Sequence, residues 1–188
     1  MLCFSLTACS SSDVEQTLEE ESDSQISSFN GYDWGTSYKN IKSAEISADM
    51  KELQDYEEAN EVDELDGMSV LSLFKQSVAG YSATIEYAFS NDELVAGLYD
   101  IDIDEEIYAD LLEKLTLEYG NPDVEKDSTG WGNVSVWIDD SKNMLCLSEF
   151  FDALYYIEAD SPILDILNEQ FIEFHELDIT SVLSGAAL

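Results

Sequence analysis

Residues 81–89 alternate without a break. Tyr81, Ala83, Ile85, Tyr87 and Phe89 fall on one side of an extended chain, and Ser82, Thr84, Glu86 and Ala88 fall on the other. Successive side chains of a strand point to opposite faces, so a period of two does not suit a helix and demands a sheet with a buried face. Asn91-Asp92 supplies turn chemistry directly after it. Strand-like runs flank it on both sides, at residues 69–78 and 94–101. Three strands joined by short turns make an antiparallel meander with one buried face.

The segments around the meander have the other period. Residues 29–37 are turn-rich, with Thr36 or Ser37 as the helix cap. Tyr38, Ile41, Lys42 and Glu45 follow at helical spacing. Phe29, Tyr32 and Trp34 are expected to pack over that helix; a ligand-binding aromatic cluster is the alternative. Residues 49–66 are strongly acidic, with room for a short helix at 50–59.

After the meander, Asp102 or Asp104 caps a second helix. Tyr108, Leu111, Leu112, Leu115 and Tyr119 form its apolar stripe. Gly120 stops that helix and Asn121-Pro122 prevents its restart. A polar loop leads through Gly130-Trp131-Gly132 into a strand with Val134, Val136 and Ile138 on one face. Residues 139–143 turn, and residues 144–150 and 153–159 complete a second set of three strands. Ser161-Pro162 opens a last helix, whose apolar residues are Ile163, Leu164, Ile166, Leu167, Phe171 and Phe174. Residues 177–188 are apolar enough to pack but have no clear period. The expected fold is α+β: an antiparallel sheet in two helix-plus-three-strand units, helices on one face, plus a C-terminal helix.

Charge limits what such a domain can bind. The chain holds 42 Asp and Glu against seven basic residues, all Lys, for a net charge of −35. Nucleic-acid binding is excluded as a class, because phosphate contacts need a cationic face. Bidentate recognition of carboxylate or phosphate by Arg is absent too. The expected partners are basic proteins or a cell-wall ligand, with weak nonspecific binding of divalent cations.

The N-terminus points to a location. Leu6-Thr7-Ala8-Cys9 resembles the lipobox that ends bacterial lipoprotein signal peptides. The resemblance implies that residues 1–8 are the remnant of a signal peptide and that Cys9 is lipidated. Only eight residues precede Cys9, none of them Lys or Arg, where a signal peptide has a cationic start and an apolar core of ~7–15 residues. The reading therefore expects a truncated start; an ordinary cytosolic N-terminus is the alternative. Two acyl chains suffice for stable anchoring, and no run reaches the ~18 apolar residues that span a bilayer. Residues 10–28 are rich in Ser, Glu and Asp and are expected to be a disordered tether. One globular domain, residues 29–188, follows on the extracytoplasmic face of the cell membrane.

Two further signatures carry a resemblance. Trp34-Gly35-Thr36-Ser37 opens a helix that reaches Ile41, and Tyr87-Ala88-Phe89 passes through Leu94 to Tyr99. The segment Leu115-Thr116-Leu117-Glu118-Tyr119-Gly120-Asn121-Pro122 follows. Together they resemble a family of small exported bacterial proteins and lipoproteins of unknown function. The element order is similar to the scaffold of the beta-lactamase inhibitor protein and the SmpA/OmlA outer-membrane lipoproteins. That resemblance implies a binding or scaffolding role and carries over no catalytic residue. The acidic insert and the C-terminal segment depart from the pattern.

Catalytic and metal chemistry find little support. Asp100-Ile101-Asp102-Ile103-Asp104 looks like the opening of a calcium loop. Counting from Asp100, however, Glu105 stands where glycine is needed and Leu111 where the bidentate glutamate is needed. His175 is the only histidine, expected exposed near the end of the last helix, and no nucleophile motif accompanies it. Cys146 lies between two leucines as a small buried hydrophobe. One His and one free Cys cannot make a zinc site. With 42 acids, carboxylate pairing carries no information about glycoside hydrolysis. No catalytic residue, cofactor or metal ligand is assigned, and Cys9 is the one named site. The expected role is non-enzymatic protein or cell-wall binding. An acidic inhibitor or decoy of a basic secreted protein is one alternative, and a carboxylate-using hydrolase is another.

Overall fold

The alternating stretch is the middle strand of a meander. In the computed structural model, which describes residues 25–49, 68–128 and 130–185, the elements run β1 (Ser28–Phe29), β2 (Tyr32–Asp33), α1 (Tyr38–Asp49), β3 (Met68–Val78), β4 (Tyr81–Ser90), β5 (Glu93–Asp100) and α2 (Glu105–Tyr119). The second half continues with β6 (Val124–Ser128), β7 (Gly132–Ile138), β8 (Met144–Ser148), β9 (Ala153–Ile157), α3 (Ile163–His175) and α4 (Ile179–Leu183). The fold is α+β.

Seven strands form one antiparallel sheet in the order β3-β4-β5-β9-β8-β7-β6, and β1 and β2 form a separate hairpin. Each meander presents its last strand to the other. Gly97 pairs with Tyr156 and Tyr99 with Leu154. Two consecutive helix-plus-meander units thus meet at β5 and β9, as their element order anticipates.

The two sheet faces carry two cores. On the first, Ala83, Ile85, Tyr87 and Phe89 of β4 pack with Ile41 of α1 and with Tyr108, Leu111 and Leu115 of α2. On the second, Val134 and Val136 of β7 and Met144 and Cys146 of β8 pack with Leu164, Leu167 and Phe171 of α3 and Ile179 of α4. The helices of the two units share one face, and the C-terminal helix covers the other. Residues 179–183 supply the small α4 within a segment the sequence left without a period.

Local chemistry sets the helix limits. The Asp104 carboxylate accepts the Ile107 N–H at 2.9 Å, and Gly120 ends α2 at φ 80 while its N–H reaches the Thr116 carbonyl. A left-handed residue here suits glycine, which has no Cβ to clash. The Ser161 hydroxyl accepts the Ile163 N–H at 3.3 Å, with Pro162 in helical conformation just before α3.

The β1–β2 hairpin closes the first face where the units meet. Phe29 is fully buried, within 4.7 Å of the Tyr99 ring, 5.2 Å of Tyr87 and 5.5 Å of Tyr156. Its ring fills the space above Gly97, where an added Cβ would stand 2.0 Å from a ring carbon. Only glycine admits so close an approach.

Four expectations need correction. The second unit has four strands, because β6 adds an edge strand that pairs with β7 from Val124↔Val136 to Ser128↔Gly132. Its sequence, Val-Glu-Lys-Asp-Ser, looks like a loop because an edge strand carries charge to discourage further pairing. The tether boundary at Ser28 falls inside packed structure: Ile26 is buried, its N–H donates to Asp139 at 2.9 Å, and its carbonyl accepts the Trp34 indole N–H at 2.9 Å. Strand β8 ends at Ser148, and Phe150 belongs to the following turn. The second meander is buried on both faces, and the second core reaches the first meander as well, through Met68, Ala88, Val95 and Ala96. Residues 1–24, which hold Cys9 and most of the expected tether, lie outside the described residues, as does the acidic segment 50–67.

Candidate functional site

Two aromatic clusters flank the sheet, and they differ in how their polar atoms are used. The first lies between α1 and α2 under the β1–β2 hairpin. The Asn30 amide donates to the Tyr87 hydroxyl, and that hydroxyl donates to Glu45 at 2.8 Å. Burial pushes the Tyr87 phenol well up, and Tyr32 is pushed up to about 12 by burial and by the Glu45 carboxylate. These phenols stay protonated and satisfy Glu45 from inside the protein. Phe29, Tyr32 and Trp34 thus pack as structural residues, and the ligand-cluster alternative loses its open polar groups.

The second cluster opens to solvent and is built from three turns or ends. The β6–β7 turn carries Trp131 between Gly130 and Gly132, both at positive φ (95 and 73). The β8–β9 turn carries Phe150 and Phe151. The C-terminal end of α3 carries Phe174 and His175. Trp131 stands 4.9 Å from Phe150 at 90° and 5.1 Å from Phe174, and Phe150 and Phe174 are 4.8 Å apart. The Trp131–Phe150 contact is edge-to-face, a favourable arrangement between rings, and the other two are tilted. Behind them, Phe171 is fully buried, and Trp131 at the rim is 44% exposed.

A cleft of about 330 Å³ runs beside this wall, lined by Lys126, Asp127, Trp131, Glu173, Phe174, His175 and Glu176. Its volume is at the low end of the roughly 300–1,000 Å³ of small-ligand pockets. The Lys126 ammonium donates to the Glu176 carbonyl at 2.9 Å and ties β6 to the end of α3. Glu176 itself sits at φ 51, a left-handed position usually given to glycine.

His175 is buried at 1% exposure rather than exposed, packed against Phe150, Phe151 and Phe171. Burial, and then the Lys126 charge, hold its pKa below the ordinary value, so the ring is neutral at neutral pH. A helix C-terminus usually favours a histidine cation, but here the apolar surroundings outweigh that effect.

The other singled-out residues are structural. Cys146 is fully buried in β8, and burial raises its thiol pKa well above the ordinary value. Asp100 ends β5 and Asp104 caps α2. Asp100 and Glu158 have raised carboxyl pKa values, caused by burial and neighbouring acids, and neither lines the cleft. Among the described residues, no group of three or more His, Cys, Asp or Glu is placed to hold a metal ion, and no helix is long and apolar enough to cross a membrane.

The sequence could hint at the cleft only through Trp131 between two glycines. Phe150 and Phe174 lie 19 and 43 residues further on, and only the fold brings them together. Comparison with protein families, curated proteins and solved structures finds no match for this chain.

Proposed function

We propose that this protein is a lipoprotein of the extracytoplasmic membrane face, held by lipid on Cys9, whose folded domain is a non-enzymatic binding module for a protein or cell-wall ligand. The observation that carries the binding reading is Trp131, 44% exposed beside Phe150 and Phe174 at the edge of an acidic cleft. Large aromatics left at a surface, rimmed by polar groups, mark interaction sites. Leu6-Thr7-Ala8-Cys9 supports the anchor.

Two measurements test the two parts. Cys9→Ala in the full gene should move the protein from the membrane to the soluble fraction and abolish lipid mass. Unchanged partitioning, with no lipid on the wild type, rules out the anchor. For the binding module, envelope extract is passed over the immobilised protein and its Trp131→Ala variant at low and high salt. A component retained by the wild type and lost by the variant supports the reading. Equal retention by both removes the cleft from it.

A further inference from the structure

We propose that the Trp131–Phe174 cleft seats a single cationic side chain, a Lys or Arg projecting from a basic segment of a partner protein. This rests on the reading of the domain as a binding module and names the chemistry its cleft recognises.

Three observations converge on a cation. The walls are aromatic: Trp131 and Phe174 both line the cleft, with ring centroids 5.1 Å apart. A ring face attracts an ammonium or guanidinium group through its quadrupole. The protein uses the same contact internally, with Lys114 5.3 Å from the Tyr81 centroid and Lys42 5.5 Å from Tyr38. Three of the lining residues, Asp127, Glu173 and Glu176, carry carboxylates, which only accept hydrogen bonds. Lys brings three N–H donors and Arg five to meet them, together with a positive charge.

Charge fits as well. The lining residues carry the carboxylates of Asp127, Glu173 and Glu176 against the single ammonium of Lys126, so the cleft is net negative. The His175 imidazole adds no positive charge at neutral pH. The chain as a whole carries −35, which steers basic partners toward it. Glu176 adds a further sign. It holds a left-handed position that glycine fills at less steric cost, and it is an acidic residue of the lining.

The test uses the full chain and acetylated tetra-arginine amide, titrated by calorimetry at 50 mM and 500 mM sodium chloride, with the trisaccharide of N-acetylglucosamine as the neutral probe. Wild type should bind the peptide, more weakly in high salt. Trp131→Ala leaves net charge unchanged and should weaken binding roughly fivefold to thirtyfold, the range of a partly desolvated cation–π contact. Trp131→Phe should restore much of it. Glu173→Gln should weaken binding more than Glu113→Gln, which removes the same charge from the exposed side of α2. Glu176→Gly should lose affinity without losing thermal stability.

If Trp131→Ala and Glu173→Gln bind like Glu113→Gln, only the diffuse field attracts the peptide and the cleft assignment is overturned. The binding module would then still stand on its own retention experiment. Binding of the trisaccharide in place of the peptide also overturns it, in favour of a glycan. No binding of either probe at 50 mM salt overturns it outright.

Discussion

The two meanders differ in how completely their middle strands, β4 and β8, are buried. In the first, β4 buries Ala83, Ile85, Tyr87 and Phe89 on one face, while its reverse leaves Ser82 exposed, Thr84 and Glu86 half-buried and only Ala88 buried. The reverse face satisfies itself locally: the Ser72 hydroxyl donates to Glu86 at 3.1 Å. In the second, every residue of β8 is buried, because α2 covers one face and α3 with α4 the other. A strand buried on one face alternates, and a strand buried on both reads as an apolar run. The open aromatic cleft sits at the margin of the doubly covered unit, where its turns and its last helix end. A rigid double-faced core is the better support for a site built from three separate turns and ends.

The contrast can be broken most severely from the second face. Phe171 is fully buried beneath Phe151 and His175. Phe171→Ala should cost about 3–5 kcal/mol, the range for deleting a buried aromatic, read by urea denaturation. It should also disorder the cleft aromatics, visible in near-ultraviolet circular dichroism.

Gly97→Ala tests the seam between the units. The new Cβ would fall 2.0 Å from Phe29, and overpacking of this kind costs about 1–3 kcal/mol. Phe29→Ala in the same chain should recover part of that loss. If Gly97→Ala is neutral, the hairpin does not close the seam.

A chain that starts at residue 29 discards Ile26 and its hydrogen bonds to Asp139 and Trp34. It should melt at a lower temperature than one that starts at residue 25, and be less stable by roughly 1.5–3 kcal/mol, the value of burying an isoleucine. Equal melting would restore the tether boundary to Ser28.

Matched deletions sharpen the comparison. The hydroxyls of Ser135 and Tyr108 share a hydrogen bond at 2.8 Å in buried surroundings. Ser135→Ala should cost about 1–3 kcal/mol, because the Tyr108 hydroxyl is left unsatisfied. Thr84→Ala, on the open side of β4, should fall within about 0.5 kcal/mol of wild type.

The smallest effect expected is one of pH. His175 has a folded-state pKa lowered from 6.5, by burial and then by Lys126. Above that ordinary value both states are neutral and stability is unaffected. As pH falls below 6.5, the unfolded chain binds the proton first, so stability declines until the folded-state pKa is reached. Wild type should lose more stability than His175→Phe between pH 7.5 and pH 5.5. Parallel curves would show that the ring is not buried as neutral imidazole.

Several features were determined by the sequence alone, because they depend on neighbours along the chain. The period of two in residues 81–89, the stripe from Tyr108 to Tyr119, an aspartate cap at Asp102 or Asp104 and the Gly120 stop are all local features, and the structure places the cap at Asp104. What only the tertiary structure decided depends on neighbours in space. Strand β6 is polar, so nothing local separates it from a loop; its pairing with β7 does. Ile26 is one apolar residue in a polar run, and its burial comes from Asp139, 113 residues away. His175 looked exposed because a charged imidazole suits a helix end, but Phe150, Phe151 and Phe171 enclose it. The cleft is the extreme case. Trp131, Phe150 and Phe174 belong to a turn, another turn and a helix end, and no periodicity links such positions until the sheet and α3 bring their rings within about 5 Å of one another.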